Sequence, residues 1–202
     1  MFSGLIAECG KVSEIVRGES SATFTIDAPT LVRDISPGDS VSVNGVCLTA
    51  ISTSPTSFKA DVMVQTLSLT SLSELQVDSP VNLELAAQLH TRMGGHMVQG
   101  HIDGVGTIKR IIPGDNWLQI DVEIPAHLTK YIVNQGSICL DGVSLTVGSI
   151  NDETNLVTLW LIPETLQRTN LSKKRTGEIV NIEVDVLAKY VERLMSKGRV
   201  NE

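Results

Sequence analysis

Four side chains suited to proton transfer or nucleophilic chemistry lie in short glycine-containing motifs of the 202-residue sequence. His96 and His101 occur together in the stretch MGGHMVQGHIDGVG, from Met93 to Gly106. Cys47 lies in NGVCLT, and Ser144 occupies the same place in DGVSLT. Imidazole titrates near neutral pH and a thiol can act as a nucleophile. These motifs therefore indicate acid–base, hydrogen-bonding or nucleophilic chemistry.

Each of these side chains also has a purely structural interpretation, which the residues alone leave open. The histidines can be ordinary surface or turn residues, and Cys47 can be a buried, inert thiol. A metal site would need a third ligand, and His90, His127 and the scattered carboxylates show no recognisable ligand spacing. The sequence lacks a P-loop, a G-x-G-x-x-G fingerprint and a G-x-S-x-G elbow. We therefore predict no metal site and favour hydrogen-bonding or acid–base use of at least one histidine.

The elements that must position these residues belong to an internal repeat. Gly4 aligns with Gly100 and Thr66 with Thr165, so the offset grows only from 96 to 99 residues. This period is too long for a solenoid and fits two small tandem domains. We predict an N-terminal domain at 1–92, a C-terminal domain at 93–184 and a terminal segment at 185–202. The matching segments are MFSGLIAECG with MVQGHIDGVG, VNGVCLTA with LDGVSLTV, MVQTLSLTSL with IPETLQRTNL, and VNLE with VNIE.

Both repeats have a pattern typical of all-β domains. Short runs of Val, Ile, Leu and Thr alternate between Gly- and Pro-containing turns. Asn44-Gly45 and Asp141-Gly142 tolerate positive φ and predict tight hairpins. With about six short strands and one brief helix per repeat, the sequence predicts two tandem, similar six-stranded Greek-key β-barrels plus a C-terminal α-helix.

Two segments outside the repeat are predicted to be helical. LAAQLHTRM, from Leu85 to Met93, would form a connecting helix that ends at Gly94. The second helix would span Asp185 to Ser196, with Asp185 as its N-cap and an apolar stripe along one side. The stripe could pack on a barrel or mediate self-association, and the pattern leaves both open. It consists of Leu187, Tyr190, Val191, Leu194 and Met195.

The repeats differ at positions where a shared fold does not require a difference. Strand alternation puts Cys47 and Thr49 on one face, and their equivalents on the matching face of the second repeat. The alternative is that this face is core, where small residues merely pack. The aligned pairs are Cys47 with Ser144, Leu5 with His101, and Thr49 with Thr146.

Composition argues against several classes of partner. A net charge of −7 is unfavourable for nucleic-acid binding, and the basic run at 173–175 is interpreted as a solvated turn. No apolar stretch reaches the roughly 18 residues of a membrane span, and the N-terminus lacks a signal pattern. We therefore expect a soluble, cytoplasmic protein. Cys9, Cys47 and Cys139 do not correspond between the repeats and predict no disulfide framework.

Taken together, the motifs resemble those of the riboflavin synthase family, α-chain type, in order, in spacing and over essentially the whole chain. The shared signatures are MFSGLI, NGVCLT, GGHMVQGHID, DGVSLTV, IPETLQRTNL and VNIEVD. The resemblance implies a transferase of riboflavin biosynthesis without cofactor or metal. It would dismutate two molecules of 6,7-dimethyl-8-ribityllumazine to riboflavin and 5-amino-6-(D-ribitylamino)uracil by transfer of a four-carbon unit.

The resemblance also implies an assembly and a set of catalytic residues. The enzyme would be a homotrimer joined with help from its C-terminal helix, and lumazine synthase is a candidate partner. Each active site would lie between the N-barrel of one subunit and the C-barrel of its neighbour, with one lumazine on each barrel. The implied catalytic residues are His101 for proton transfer, Ser144 and Thr146 as orienting hydroxyls, Cys47 as the group that stabilises or adds to the acceptor, and His96 and Asp185 as second candidates.

The resemblance assigns substrate-binding residues to both barrels. For the N-barrel site these are Gly4, Leu5, Ile6, Ser40, Cys47, Leu48, Thr49, Asp61, Val62, Met63, Val64, Gln65 and Thr66. For the C-barrel site they are Gly100, His101, Ile102, Gln135, Ser144, Leu145, Thr146, Leu161, Ile162, Pro163, Glu164 and Thr165.

Three positions depart from the family pattern. Gln135 stands where a lysine is typical, Gln65 replaces a glutamate that the second repeat keeps, and Leu85 stands where arginine is frequent. A second hypothesis is therefore a non-catalytic lumazine- or flavin-binding protein of the same fold. The presence of both His96 and His101 favours the enzyme, because a protein that only binds its ligand has no need of proton transfer.

Overall fold

The computed structural model describes residues 1–198, which form two closed, antiparallel, six-stranded barrels and a C-terminal helix. The predicted all-β tandem-barrel architecture is confirmed. The N-barrel contains β1 (Glu8–Arg17), β2 (Ser21–Asp27), β3 (Ser40–Val43), β4 (Val46–Thr53), β5 (Ser57–Met63) and β6 (Pro80–Leu85), and α1 (Val64–Leu69) follows β5. Around the barrel the order is β1-β2-β5-β4-β3-β6, a Greek-key arrangement with no free edge.

The C-barrel repeats this topology. It contains β7 (Gly104–Pro113), β8 (Leu118–Glu123), β9 (Ser137–Leu140), β10 (Val143–Asn151), β11 (Leu156–Leu161) and β12 (Ile179–Val184), and α2 (Pro163–Arg168) follows β11. Around the ring the order is β7-β8-β11-β10-β9-β12. Short 3-10 turns at 31–34, 71–74, 126–131 and 170–173 link the strands.

Strand alternation places one face of every strand inside a barrel. Phe24, Phe58 and Leu83 are fully buried in the N-barrel core, and Ile138 and Leu140 are fully buried in the C-barrel core. Register shifts at equivalent points of β4 and β10 are bulges, which bend the strands as closure requires. The alternating pattern in the sequence therefore determines which residues form the two cores.

Both predicted hairpins are confirmed. Asn44 and Gly45 have φ values of 47° and 81°, and Asp141 and Gly142 have 43° and 82°, as a two-residue turn with positive φ at both positions requires. The two turns face each other between the barrels. A Cβ atom at Gly45 would lie 2.7 Å from the Gly142 amide nitrogen, so glycine is needed here for close approach as well as for φ.

The barrels meet along a pseudo-twofold axis. Phe2 and Val98 form an isolated antiparallel bridge, with N–H···O distances of 2.7 and 3.1 Å, and pack with Cys139. On the other side of the junction, the buried Asn82 donates to the Asp141 carbonyl and Asn181 donates to the Asn44 carbonyl. The two segments that precede β1 and β7 therefore lie side by side at the junction.

The predicted connecting helix at 85–93 is wrong. Leu85 ends β6, and residues 86–103 contain turns and one bridge residue but no helix. A helix of nine residues is marginal without a packing face, and Leu89 is fully exposed. The chain instead runs to the bridge at Val98. Among residues 1–198, no helix is both long and apolar enough to cross a membrane.

The C-terminal helix is confirmed as α3 (Val186–Gly198), which begins after Asp185. The Leu187 amide donates to Asp185 Oδ1 at 2.9 Å, as expected of an N-cap. One side of the helix contacts the C-barrel region through Lys189 to Asp103 and Glu192 to Tyr131. The residues of the predicted apolar stripe do not make these contacts, and all five are more than half exposed. Residues 199–202, the end of the predicted terminal segment 185–202, lie outside the described residues.

Candidate active site

The outer faces of β4 and β10 carry the polar residues singled out in the sequence. Cys47 and Ser144 are half-buried and Thr49 and Thr146 are exposed, whereas the alternating Val46 and the equivalent Val143 are buried. The alternative interpretation of this face as core is therefore wrong. In each barrel these side chains lie outside the core and are available to a ligand.

A cleft of about 290 Å³ lies beside Ser144 on the C-barrel. One wall comes from β10 and α2, and the other comes from the chain's own N-terminal segment. The Gly4 carbonyl accepts a hydrogen bond from the Ser144 amide at 2.8 Å. Gly4 has a φ of +76°, and a Cβ there would lie 2.6 Å from Ser144 Cβ. The residues that line the cleft are Gly4, Leu5, Ile6, Val143, Ser144, Glu164, Thr165, Arg168 and Thr169.

His96 lies at this C-barrel site. Its Nδ1 is 2.7 Å from Ser144 Oγ, and its buried Nε2 has no hydrogen-bond partner among residues 1–198. Burial lowers the pKa of the imidazole, and the nearby negative charge of Asp185 partly opposes this effect. His96 is therefore held mainly neutral at neutral pH, in contact with a hydroxyl and with one ring nitrogen unpaired.

The N-barrel carries the equivalent arrangement beside Cys47. The Gly100 carbonyl accepts from the Cys47 amide at 2.9 Å, and Gly100 has a φ of +83°. A Cβ at Gly100 would lie 2.6 Å from Cys47 Cβ. His101 follows with an exposed side chain, and Ile102 packs against the N-barrel core. The segment before β7 therefore completes the site of the other barrel.

The predicted division of residues between the two sites is consequently wrong in one respect. Gly4, Leu5 and Ile6 were expected at the N-barrel site but lie at the C-barrel cleft, and Ile6 even belongs to the C-barrel core. The segment Gly100 to Ile102 was expected at the C-barrel site but lies beside Cys47. The cause is the bridge between Phe2 and Val98, which leads each segment across the junction.

Some of the other predicted binding residues can reach a ligand only through their backbone. Leu48, Val62, Leu145 and Leu161 point into the barrel cores. The remainder are half-buried or exposed on the outer faces or on α1 and α2 and their N-terminal flanks: Ser40, Asp61, Met63, Val64, Gln65, Thr66, Gln135, Ile162, Pro163, Glu164 and Thr165. Gln135 is exposed in the turn before β9, with a φ of +64°. Glu164 forms an ion pair with Arg168, where the N-barrel has Gln65 and Leu69.

Two buried glutamates near the sites were not predicted. Glu84 accepts from the Ser3 amide, the Ser3 hydroxyl and the Gly4 amide at 2.6–2.9 Å. Glu183 accepts from the amides of Gln99, Gly100 and His101 at 2.6–3.0 Å. Burial raises the pKa of both carboxyls, and the hydrogen bonds they accept partly offset this. The match of VNLE with VNIE contained the signal, because both repeats keep this glutamate.

Within residues 1–198, no three His, Cys, Asp or Glu side chains are grouped so that they could hold a metal ion. His96 contacts Ser144 of the C-barrel, whereas His101 is exposed and follows Gly100, which lies beside Cys47 of the N-barrel.

Comparisons with known proteins agree with the tandem-domain organisation. The family model for the lumazine binding domain matches twice, at residues 3–86 and 99–185. The riboflavin synthase of Actinobacillus pleuropneumoniae is 45% identical over 202 residues, which is 100% of this chain and 93% of that protein. The riboflavin synthase of Bacillus subtilis strain 168 is 40% identical with the same coverage.

A solved structure shares the fold. The crystal structure of LumP complexed with riboflavin has a TM-score of 0.85 and 26% identity, and the alignment covers 91% of this chain and 99% of that one. On the strength of both domain matches and of full-length relatives at 40–45% identity, the chain belongs to the riboflavin synthase family of tandem lumazine-binding proteins.

Proposed function

We propose that this chain converts two molecules of 6,7-dimethyl-8-ribityllumazine into riboflavin and 5-amino-6-(D-ribitylamino)uracil. One observation carries the proposal: the two barrels present equivalent sites, beside Cys47 and Ser144, whose chemical groups differ. A dismutation of identical molecules needs two similar binding sites, because both reactants are the same compound. It also needs unlike chemistry in the two sites, because one molecule donates the four-carbon unit and the other accepts it.

The C-barrel site supplies a base in this proposal. The reaction requires removal of a proton from the acidic methyl group at C7 of one lumazine. His96 suits this step through Ser144, whose hydroxyl lines the cleft and lies 2.7 Å from Nδ1. Burial keeps the imidazole neutral, so Nδ1 can take the hydroxyl proton as the oxygen takes the proton of the substrate. The Ser144 hydroxyl fixes the ring orientation, and the negative charge of Asp185 stabilises the imidazolium that forms.

The N-barrel site receives the second lumazine. Cys47 stabilises or adds to this acceptor, and His101 transfers a proton there, with Thr49 as an orienting hydroxyl in the place that Thr146 has on the C-barrel. Holding the two rings face to face in one cleft accounts for much of the acceleration, since a bimolecular step becomes effectively unimolecular.

Turnover is tested directly by incubating the protein with 6,7-dimethyl-8-ribityllumazine and following riboflavin absorbance. We expect riboflavin to form well above the uncatalysed rate, and Ser144→Ala to lower kcat by about 10²-fold or more. Ser149→Ala, an exposed hydroxyl further along β10, is the matched control. A wild-type rate equal to the uncatalysed one would refute the proposal.

A non-catalytic lumazine- or flavin-binding protein is the second candidate. The substitutions at Gln135, Gln65 and Leu85 favour it, and so does the structural likeness to LumP, whose crystal structures are described as complexes with a ribityl lumazine and with riboflavin. The same assay separates the two functions. Tight, stoichiometric retention of ligand without turnover would support the binding protein.

We further propose a homotrimer in which each reaction site lies between the N-barrel of one subunit and the C-barrel of the next. The support is α3, whose apolar stripe is left uncovered by its own barrel, with Leu194 74% exposed.

Leu194→Ser should shift the oligomer towards monomers in light scattering, because it removes apolar area from the interface. Arg193→Ser, its exposed neighbour, should leave the mass unchanged. An unaltered trimer in Leu194→Ser would argue against this interface.

We place the domain boundaries at 1–92, 93–184 and 185–202, supported by the end of β6 at Leu85 and the start of β7 at Gly104. A cytoplasmic location and an association with lumazine synthase stay predictions from the sequence.

A further inference from the structure

We propose that Glu84 and Glu183 are positioning residues, each of which holds in place the segment that completes the site of the opposite barrel. This inference rests on the proposed function, in which each barrel binds one lumazine. Neither carboxylate would touch the substrate. Each would act mainly through backbone amides: Glu183 binds those of three consecutive residues, and Glu84 binds those of two, together with the Ser3 hydroxyl.

Glu183 illustrates the arrangement for the N-barrel site. It belongs to β12 of the C-barrel and is 1% exposed. Its Oε1 accepts from the Gln99 amide at 2.6 Å, and its Oε2 accepts from the Gly100 and His101 amides at 2.9 and 3.0 Å. The Gly100 carbonyl meanwhile accepts from the Cys47 amide. The same short segment is therefore fixed to the C-barrel by its amides and to the N-barrel by a carbonyl.

Glu84 repeats this arrangement for the C-barrel cleft. It belongs to β6 of the N-barrel and is 7% exposed. It accepts from the Ser3 amide and hydroxyl at 2.7 and 2.6 Å and from the Gly4 amide at 2.9 Å. The Gly4 carbonyl accepts from the Ser144 amide, and Leu5 lines the cleft with its side chain 49% exposed.

Ionised carboxylates suit this task better than neutral groups do. Each faces three donors and can accept every one of them, whereas a glutamine would turn an NH₂ group towards backbone N–H groups. Hydrogen bonds to a charged acceptor are also shorter and stronger than neutral ones. Because the segments lack regular secondary structure, these bonds replace the strand pairing that would otherwise fix them.

Because each glutamate belongs to one barrel and binds the segment at the site of the other, each variant should affect the site of the opposite barrel. Glu183→Gln should damage the N-barrel site, although the residue belongs to the C-barrel, and Glu84→Gln should damage the C-barrel site. Asp121→Asn is the matched control. Asp121 is a buried carboxylate on β8 that accepts from Arg110, Gln119 and Thr158 and does not hold either segment.

The first experiment measures binding by titrating the intact protein with 6,7-dimethyl-8-ribityllumazine and, separately, with riboflavin. We expect two sites per wild-type chain, and in each glutamine variant one site weakened about tenfold or more with the other unchanged, as loss of charge-assisted hydrogen bonds implies. Double variants identify the weakened site. The effect of Glu84→Gln should be non-additive with Ser144→Ala and additive with Cys47→Ala, and the reverse should hold for Glu183→Gln.

The second experiment is complementation between subunits. A Glu84→Gln subunit keeps its N-barrel site, and a Glu183→Gln subunit keeps its C-barrel site. At a substrate concentration well below the Kd of the weakened site, each variant alone should be much less active than the wild type. Co-expression in equal amounts should restore about a quarter of the wild-type activity, the random-mixing fraction of interfaces that combine two intact sites in a cyclic trimer. A merely structural role would not produce this recovery.

The outcomes separate this inference from the function on which it rests. An inactive wild-type protein would refute the proposed reaction, while the riboflavin titration would still test the positioning roles. Site-specific losses without complementation would uphold the positioning roles and refute the intersubunit site. Equal weakening of both sites in either variant, or unchanged binding, would overturn the inference. If a glutamine variant does not fold, the corresponding aspartate variant, which keeps the charge but shortens the reach, takes its place.

Discussion

At the scale of single residues, the most informative pair is His96 and His101. The two residues flank the bridge at Val98. The His96 imidazole contacts Ser144 of the C-barrel, whereas His101 directly follows Gly100, which lies beside Cys47 of the N-barrel. Their environments differ as well, because His96 is half-buried and His101 is exposed. One short segment therefore places two imidazoles in unlike environments, one near each barrel.

The pKa of His96 makes a testable prediction for stability. Burial lowers this pKa below its unfolded value of about 6.5, so in the window just below that value the unfolded chain binds a proton that the folded chain does not. The contribution of neutral His96 to the free energy of unfolding is therefore full above about pH 6.5 and lost as the pH falls through the folded pKa. In urea unfolding, the difference between wild type and His96→Gln should shrink with falling pH.

Comparison with a His96 variant and with a control variant separates the His96 contribution from those of other titrating groups. The raised pKa values of Glu84 and Glu183 act in the opposite direction, since their contribution is full below the ordinary glutamate pKa and lost as the pH rises. They are present in both proteins and largely cancel in the difference. His90→Gln removes an exposed imidazole and is the control. A His96 difference that is flat between about pH 7 and 5 would contradict the buried, neutral imidazole.

At the scale of elements, the two segments before β1 and β7 matter more than any strand. They are irregular, they pair with each other at one bridge, and each contacts the opposite barrel through a glycine carbonyl. The barrels supply rigid walls, and the segments decide what faces Cys47 and Ser144. Sites of this kind are common, because irregular segments carry function on a rigid scaffold.

Alanine substitutions at Gly4 and Gly100 should show how tightly the two segments pack against Ser144 and Cys47. Gly4→Ala and Gly100→Ala both impose positive-φ strain and a clash, since their Cβ atoms would lie 2.6 Å from Ser144 Cβ and Cys47 Cβ. Gly38 has a φ of +97° with nothing within 4 Å, so Gly38→Ala imposes strain alone. We expect about 1 kcal/mol for Gly38→Ala and about 1–3 kcal/mol more for either site glycine, measured by denaturant unfolding. Equal costs at all three positions would show that the segments can move away.

At the scale of the whole molecule, a buried polar network holds the two barrels in one orientation. It is reciprocal: the Asn170 amide donates to Asn82 Oδ1 at 2.7 Å, and the Ser71 amide donates to Asn181 Oδ1 at 2.6 Å. Such a network specifies one arrangement, because any shift would leave buried polar groups unpaired. The relative positions of the two sites follow from it.

Among the described residues, this network contains one charged pair, and it lies on the C-barrel side of the pseudo-twofold axis. Asp141 is fully buried and pairs with Lys174 at 3.0 Å, and burial raises the pKa of Asp141 while the lysine partly offsets this. The equivalent positions in the N-barrel are the neutral Asn44 and Leu75. Lys174→Leu should cost about 3–5 kcal/mol of unfolding free energy, because it leaves a buried carboxylate without its cation.

The N-barrel also suggests the compensating change. Adding Asp141→Asn to Lys174→Leu copies the neutral pair of the first repeat and should recover most of the lost stability in thermal or denaturant unfolding. Asp121→Asn combined with Lys174→Leu is the control, because Asp121 lies elsewhere in the barrel wall. A double variant no more stable than Lys174→Leu alone would mean that the charge is needed for another reason.

The sequence by itself determined the repeat, the two barrels, the paired hairpins and the family. These depend on local chemistry: strand alternation selects the core face, Asn44-Gly45 and Asp141-Gly142 select the turn, and the motifs around Cys47 and Ser144 are continuous in the chain. It also identified the outer face of β4 and β10 as chemically interesting, although the pattern alone could not say that this face lies outside the core.

Only the tertiary structure decided which segment completes which site. Gly4 and Gly100 reach the opposite barrel because Phe2 and Val98 pair across the junction. Glu84 and Glu183, distant in sequence, accept from the amides of these glycines, and no local pattern encodes such contacts. The tertiary structure also decides the pKa of His96, because burial of the imidazole lowers it. The connecting segment at 85–93 failed as a predicted helix for a related reason. Leu89 and Met93 are exposed and cover no apolar surface, and without tertiary packing so short a helix is not stable.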